Sequence, residues 1–304
     1  MTPEVPMPTT LTNPDADTAV RVRGLVKTYG NTTVVNGIDI DIARGETFAL
    51  LGPNGAGKST TVEILEGFRH RTAGEVSVLG TDPVHGGLDW KARLGIVLQS
   101  SNEIASHTVR EQLRYTAQLY PNPRRVEDVI AAVGLQSKAT SRVAKLSGGQ
   151  RRRVDVALSI IGRPELLFLD EPTTGFDPEA RQEFWQLIRD LKDEGTTILL
   201  TTHYLDEAAQ LGDRAAIILD GRIIDAGKIT ELGGPEARTP VVRWIDPDGV
   251  EREQRTLQPA ALVASLVAEG GGAEPNRLEV IQPSLEDIYL ALVRQTKGDL
   301  NDNA

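Results

Sequence analysis

Residues Gly52 to Thr60 read Gly-Pro-Asn-Gly-Ala-Gly-Lys-Ser-Thr, a full match to the pattern G-x-x-x-x-G-K-[ST]. A nucleoside triphosphate presents dense negative charge, and backbone N–H groups left accessible by small residues can cradle it. Lys58 adds a mobile positive charge to that cradle. Ser59 offers a hydroxyl to a Mg²⁺ ion carried by the phosphates. Far downstream, Asp170 and Glu171 close the apolar run Leu166-Leu167-Phe168-Leu169. Neighbouring side chains on a strand point in different directions, so two adjacent carboxylates can serve different partners. Asp170 suits a metal shell, and Glu171 suits the water that attacks a γ-phosphate, by taking its proton or holding it in line.

Between these two motifs lies Leu146-Ser147-Gly148-Gly149-Gln150. Read alone it is an ordinary loop. In this order, after a phosphate loop and before an acidic strand end, it separates one ATPase superfamily from the rest. The three motifs together resemble the ATP-binding subunit of an ABC transporter, over roughly Val20 to Leu232. That resemblance implies ATP and Mg²⁺ as ligands, with Ser59, Gln99 and Asp170 in the metal shell. It also implies that Ser147, Gly148, Gly149 and Gln150 close over the γ-phosphate held by a second copy, so that the working unit is a head-to-tail homodimer.

The resemblance gives four further residues a meaning. Tyr29, in Lys27-Thr28-Tyr29-Gly30, is similar to the aromatic that stacks on adenine, with a core tyrosine as the alternative. Gln99 is similar to the glutamine that senses Mg²⁺ and the γ-phosphate, and His203 to the histidine that contacts the γ-phosphate. Asp177 falls in the loop that couples the two sites, where the family usually has Leu at the position of Phe176. Lys58, Gln99, Glu171 and His203 are therefore the expected catalytic set. Arg151, Arg152 and Arg153 follow the signature, and read either as a solvated, salt-bridged helix face or as a phosphate or partner contact. His70, His85 and His107 match no metal-ligand spacing.

These groups must be positioned by an α/β scaffold of the P-loop NTPase type. Thr47–Leu51, Leu166–Asp170, Thr196–Thr201 and Ala215–Leu219 are continuously apolar, as suits strands of a mostly parallel sheet buried on both faces. Val20–Arg23 and Ile38–Ile42 alternate instead, as half-buried strands of an antiparallel layer do. Residues from about 100 to 160 read as a helical subdomain, with apolar positions at helical spacing over Thr108–Tyr120 and Arg124–Val133. Asp220-Gly221 and Asp248-Gly249 are two-residue hairpin signals. Met1 to Asp17 is rich in Pro and Thr with few large apolar residues, and is expected to be a flexible tail. The ATP-binding domain then spans 18–234. Gly233-Gly234-Pro235 marks the boundary to a small α+β domain at 235–304, with a dimerisation or regulatory role. Its last helix is capped by Ser284 with Asp287 three residues on, and is expected to bury Leu285, Ile288 and Leu292.

Composition narrows the functional class. With 43 Asp plus Glu against 33 Lys plus Arg, the net charge of −10 disfavours tight, sequence-independent nucleic-acid binding, and no nucleic-acid partner is expected. There is no cysteine, which removes disulfides and thiolate chemistry. No stretch approaches the roughly 20 apolar residues needed to cross a bilayer, so a transport role requires a separately encoded membrane-spanning permease. The expected location is peripheral, on the cytoplasmic face of the membrane. The stretch Ser284 to Leu292 resembles the tail of exporters of the daunorubicin/doxorubicin-resistance type, which implies export of a drug, antibiotic or other amphipathic solute. A soluble ABC-type clamp or switch acting on nucleic acid or a protein machine is the alternative class.

Overall fold

The structure, a computed structural model, describes residues 17–97 and 106–301. The expected tail, apart from Asp17, and Gln99 lie outside the described residues. Among the described residues there are twelve strands: β1 (Thr18–Tyr29), β2 (Thr32–Ala43), β3 (Thr47–Leu51), β4 (Ala73–Val78), β5 (Leu94–Val97), β6 (Leu166–Asp170), β7 (Thr197–Thr202), β8 (Arg214–Leu219), β9 (Arg222–Lys228), β10 (Val241–Ile245), β11 (Glu251–Arg255) and β12 (Asn276–Ile281). The α-helices are α1 (Lys58–Leu65), α2 (Leu88–Lys91), α3 (Val109–Ala117), α4 (Val126–Ala132), α5 (Gly148–Ile160), α6 (Pro178–Asp193), α7 (Leu205–Leu211), α8 (Gly234–Ala237), α9 (Pro259–Glu269) and α10 (Leu285–Asn301).

The continuously apolar runs form the central sheet, in the order β5-β6-β7-β3-β8-β9. Every pair in it is parallel except β8–β9, which the Asp220-Gly221 turn joins as a hairpin. All of β3 and β7 is buried, as strands covered on both faces must be. The alternating runs form the antiparallel layer β2-β1-β4. Its inward residues Val22, Leu25, Ile38 and Ile40 meet Phe48, Leu50 and Val62 of β3 and α1 in one apolar cluster. On the other side, Val109, Leu113, Val129, Ile130, Val154 and Ile160 of the expected helical subdomain pack with Leu167, Phe184 and Ile198. Thr108 opens α3 with a reciprocal capping box to Glu111, and Ser147 opens α5 with the same device to Gln150.

Sheet geometry brings the chemistry together. Parallel strands place all their C-terminal ends along one edge. β6, β7 and β3 are neighbours, with Asp170 beside Thr201 and Leu51 beside Thr202. The phosphate loop after β3, the carboxylates ending β6 and His203 after β7 therefore share that edge. Beyond the central sheet, β11-β10-β12 make a separate antiparallel sheet flanked by α9. The chain then returns: Leu285 of α10 is buried beside Ile229, Leu232 and Ala208, and Ile288 is buried as well. Ser284 and Asp287 cap α10 reciprocally, since Asp287 N donates to Ser284 Oγ and Ser284 N to Asp287 Oδ2.

Candidate functional site

The phosphate loop, from Gly52 to Thr60 except Ala56, lines a cleft of about 620 Å³ together with Val34, Glu171 and His203. Gly55 and Gly57 adopt φ of 81° and 106°, a left-handed region that side chains resist. At Gly57 a Cβ would stand 2.7 Å from the Val34 carbonyl, and at Gly52 only 2.3 Å from the Ile218 carbonyl. The loop is thus held tight against two other strands, and only glycine allows it. Ala56 is buried, and its carbonyl accepts from Gly221 N in the β8–β9 turn. Pro53, Asn54, Gly55 and Ser59 are exposed, and Thr60 is half-buried.

Lys58 is buried, and its Nζ donates to the carbonyls of Gly52 at 2.7 Å and Pro53 at 3.0 Å. Burial lowers its pKa, and the charges of Glu171 and Asp170 oppose that fall. A cation so poorly solvated gains from an incoming phosphate more than an exposed lysine would. Asp170 is half-buried and accepts at Oδ1 from the Thr201 hydroxyl. Ser59 and Asp170 are hard oxygen donors of the kind Mg²⁺ takes alongside substrate phosphates. No group of three or more His, Cys, Asp or Glu able to hold a metal exists among the described residues.

Glu171 stands at φ 44°, a strained conformation for a residue with a side chain. The surrounding bonds hold it there. Its N–H donates to Thr201 O at 3.0 Å, while Arg152 grips both flanks, Nη2 donating to Asp170 O at 2.7 Å and Nε to Pro172 O at 3.1 Å. His203 Nδ1 lies 3.3 Å from Glu171 Oε1. Arg152 is therefore neither on a solvated face nor a phosphate contact: it is buried and organises the segment that carries the carboxylates. Its flanking arginines serve the helical subdomain, Arg151 donating to Leu146 O and Arg153 pairing with Glu183. Glu66, at the end of α1, is also buried, and burial, then the charges of Asp170 and Glu63, push its carboxyl up to about 8.

Ser147, Gly148, Gly149 and Gln150 lie elsewhere. They line a second cleft, of about 480 Å³, with Gly175, Phe176 and Asp177, and share no lining residue with the phosphate-loop cleft. Ser147 Oγ accepts from Gln150 N at 3.3 Å, and Gln150 Oε1 accepts from Ser147 N, so both side chains shape the start of α5. Asp177 caps α6 by accepting from Ala180 N at 2.8 Å. Phe176 is buried, and its ring meets Phe184 edge-on at 5.7 Å, so the family's apolar position is filled by a larger group anchored in the helical core. Tyr29 is exposed rather than in the core, with Lys27 Nζ 4.8 Å and the Arg69 guanidinium 5.4 Å from its ring centre. It does not line the phosphate-loop cleft. Gln99 follows β5, the neighbour of β6, and lies outside the described residues.

Comparison with known proteins identifies the family. Residues 35–174 match the family described as ABC transporter. A daunorubicin/doxorubicin resistance ATP-binding protein DrrA of Streptomyces peucetius is 41% identical over 310 residues, covering 92% of this chain and 94% of that one. A Nod factor export ATP-binding protein I of Rhizobium johnstonii is 42% identical over 238 residues, covering 77% of this chain and 76% of that one. Among solved structures, cbiO1 from Clostridium perfringens, described as part of the ABC transporter complex cbiONQ, superposes with a TM-score of 0.63 at 29% identity, over 70% of this chain and 89% of that one. An ATP binding subunit of an ABC transporter gives a TM-score of 0.67 over 90% of this chain and 99% of that one, at 24% identity, a likeness of fold alone.

Proposed function

The chain belongs to the ABC transporter family as an ATP-binding, ATP-hydrolysing subunit, and from that premise we propose that two copies, joined head to tail, power export through a separately encoded membrane permease. The relatives' names, Nod factor export and daunorubicin/doxorubicin resistance, support outward transport of a drug, antibiotic or other amphipathic solute. No helix among the described residues is long and apolar enough to cross a membrane. As a member of this family, the subunit works from the cytoplasmic face, bound to its permease. Residues 18–234 form the ATPase head, and 235–304 form a smaller domain in dimerisation or regulation.

The observation that carries the composite site is the separation of its two halves. Lys58, Glu171 and His203 line one cleft, while Ser147 to Gln150 and Asp177 line another. A single chain presents a phosphate cradle without the second set of donors. A partner's Ser147, Gly148 and Gly149, at the N-terminal end of α5, complete it with N–H groups and the positive end of the helix. Asp177, in the lining of the second cleft, then lies at the junction between the two sites.

Within the cleft each side chain has a task. Lys58 exchanges its bonds to the Gly52 and Pro53 carbonyls for the phosphates. Ser59 and Asp170 would hold Mg²⁺, together with Gln99. When bound, that ion neutralises charge on the phosphate oxygens. Glu171 takes the proton of the attacking water or holds it in line. His203 braces the γ-phosphate and stays beside Glu171. Tyr29, exposed and flanked by cations, offers a ring face to adenine. Closure of the pair on ATP and reopening after hydrolysis transmit force to the permease.

The test is Glu171→Gln, which keeps shape and loses the carboxylate. We expect ATP and Mg²⁺ to hold this variant as a stable dimer by light scattering, with turnover reduced at least about 100-fold. A monomer in ATP, or wild-type turnover, overturns the proposal. Co-purification from membranes with a multi-spanning protein tests the partner.

A further inference from the structure

Among the described residues, the cleft beside Ser147 holds one cation without a partner. Four charged side chains line it: Lys138, Arg153, Asp177 and Glu183. Three of them are committed, since Arg153 pairs with Glu183 and Asp177 accepts from Ala180 N at the start of α6. Lys138 is exposed, and its ammonium has neither a hydrogen bond nor an ion pair among the described residues. Its backbone is fixed all the same. Lys138 N donates to Leu135 O at 3.0 Å, and Lys138 O accepts from Ser141 N at 2.9 Å.

The same cleft presents further donors. Gly148 and Gly149 open α5, a helix of 13 residues, at positions whose N–H groups no helical carbonyl reaches. A Cβ on Gly148 would meet nothing within 4 Å, so the space before it is open. Those N–H groups and the helix end carry only partial charges, and Lys138 adds a full one. The chain as a whole carries −10 and repels anions, so this cleft can attract a triphosphate only through such local charge. We propose that Lys138, nine residues before Ser147 and outside the Leu146–Gln150 segment, is a nucleotide-binding residue that acts in trans, its ammonium pairing with the triphosphate held by the phosphate loop of the other chain. In the closed pair each triphosphate then lies between two lysines, Lys58 of its own chain and the partner's Lys138. The inference rests on the head-to-tail site proposed above. A lysine without intramolecular ties gives up only water for this contact, so it contributes to ATP binding and closure rather than to the chemical step.

ATPase kinetics on the full-length protein test it. Because the side chain is exposed and unpartnered, Lys138→Gln should leave Tm within about 2 °C of wild type, yet raise KM for ATP about fivefold with kcat within about twofold. Lys145→Gln is the control. Lys145 is also exposed and without a partner and stands two residues before Ser147, but it does not line the cleft, so its variant should keep the wild-type KM. An unchanged KM in Lys138→Gln, or an equal rise in both variants, overturns the proposal. Mixing shows which chain's nucleotide is met. At ATP well below the wild-type KM, Lys138→Glu should be slow and Lys58→Ala inactive, and their mixture should exceed the mean of the separate rates, since one site of each mixed dimer joins an intact cradle to an intact Lys138. A rate equal to that mean overturns action in trans. Lys58→Ala mixed with Ser147→Arg is the reference: if that pair regains activity and the Lys138 pair does not, this proposal alone falls, and if neither does, the two-chain site falls with it.

Discussion

Replacing Arg152 by Met removes the guanidinium while keeping most of the side chain's length. Two charge-assisted bonds disappear, to the carbonyls of Asp170 and Pro172, and two buried acceptors lose their donor. Each such bond contributes about 1.5–3 kcal/mol. Part of the loss is returned because a cation whose pKa is lowered by burial no longer has to be desolvated. The net cost is about 2–4 kcal/mol, and a protein of this size should lose roughly 3–6 °C in Tm. The kinetic effect should be larger than the stability effect suggests. Glu171 keeps its strained backbone because both flanks are held, so kcat should fall at least about tenfold even at temperatures where the variant is fully folded. Differential scanning fluorimetry and ATPase assays at 20 °C below the variant's Tm read the two separately. A Tm within about 2 °C of wild type, together with an unchanged kcat, would show that Arg152 does not hold that segment.

Further outcomes follow from other residues. Gly57→Ala forces a Cβ to 2.7 Å from the Val34 carbonyl at φ 106°, and Kd for ATP should rise at least about tenfold in a nucleotide-binding titration. Glu66→Gln should stabilise the protein in a pH-dependent way. A carboxyl raised to about 8 is fully tolerated below its unfolded value near 4.5 and loses stability as pH rises toward 8, so the Gln variant's gain should grow across that window. At its upper end the gain is on the order of 3–4 kcal/mol, read by denaturant titration at several pH values. A gain that is flat with pH would refute the burial argument. Ile288→Ala, at a position 1% exposed, should lower stability by about 2–4 kcal/mol and leave the Kd for ATP unchanged, as expected if α10 supports the domain without touching nucleotide.

Sequence alone located what chemistry constrains tightly. The phosphate loop, Asp170-Glu171 and the Leu146–Gln150 segment need particular residue types at particular spacings, so they are visible without coordinates. Strands β3, β6, β7 and β8 were legible for a related reason: burial on both faces demands continuous apolar runs. Less was visible where meaning comes from distant neighbours. Arg152 sits in a run of three arginines that looks like a solvated face, and its partners lie 18 and 20 positions away. Glu207 looks like any acid in the first turn of a helix, and only packing against Trp185, 22 positions earlier, reveals that it is buried. α9 is apolar apart from Ser265 and Glu269, much as a core helix would be, yet none of its residues is fully buried, because a three-stranded sheet offers it little to pack against. Tyr29 reads from sequence as an adenine-stacking aromatic or a core tyrosine, and its exposed ring removes the core reading.

The composite site is tested most directly by mixing two inactive variants. Lys58→Ala disables the cradle and Ser147→Arg disables the segment that completes the partner's cradle. In a mixed dimer one site carries both lesions and the other carries none. Equal amounts of the two proteins, each silent alone, should therefore regain about a quarter of the wild-type ATPase rate, since about half of random dimers are mixed and each holds one intact site. A mixture no more active than its separate components would contradict a pocket built from two chains.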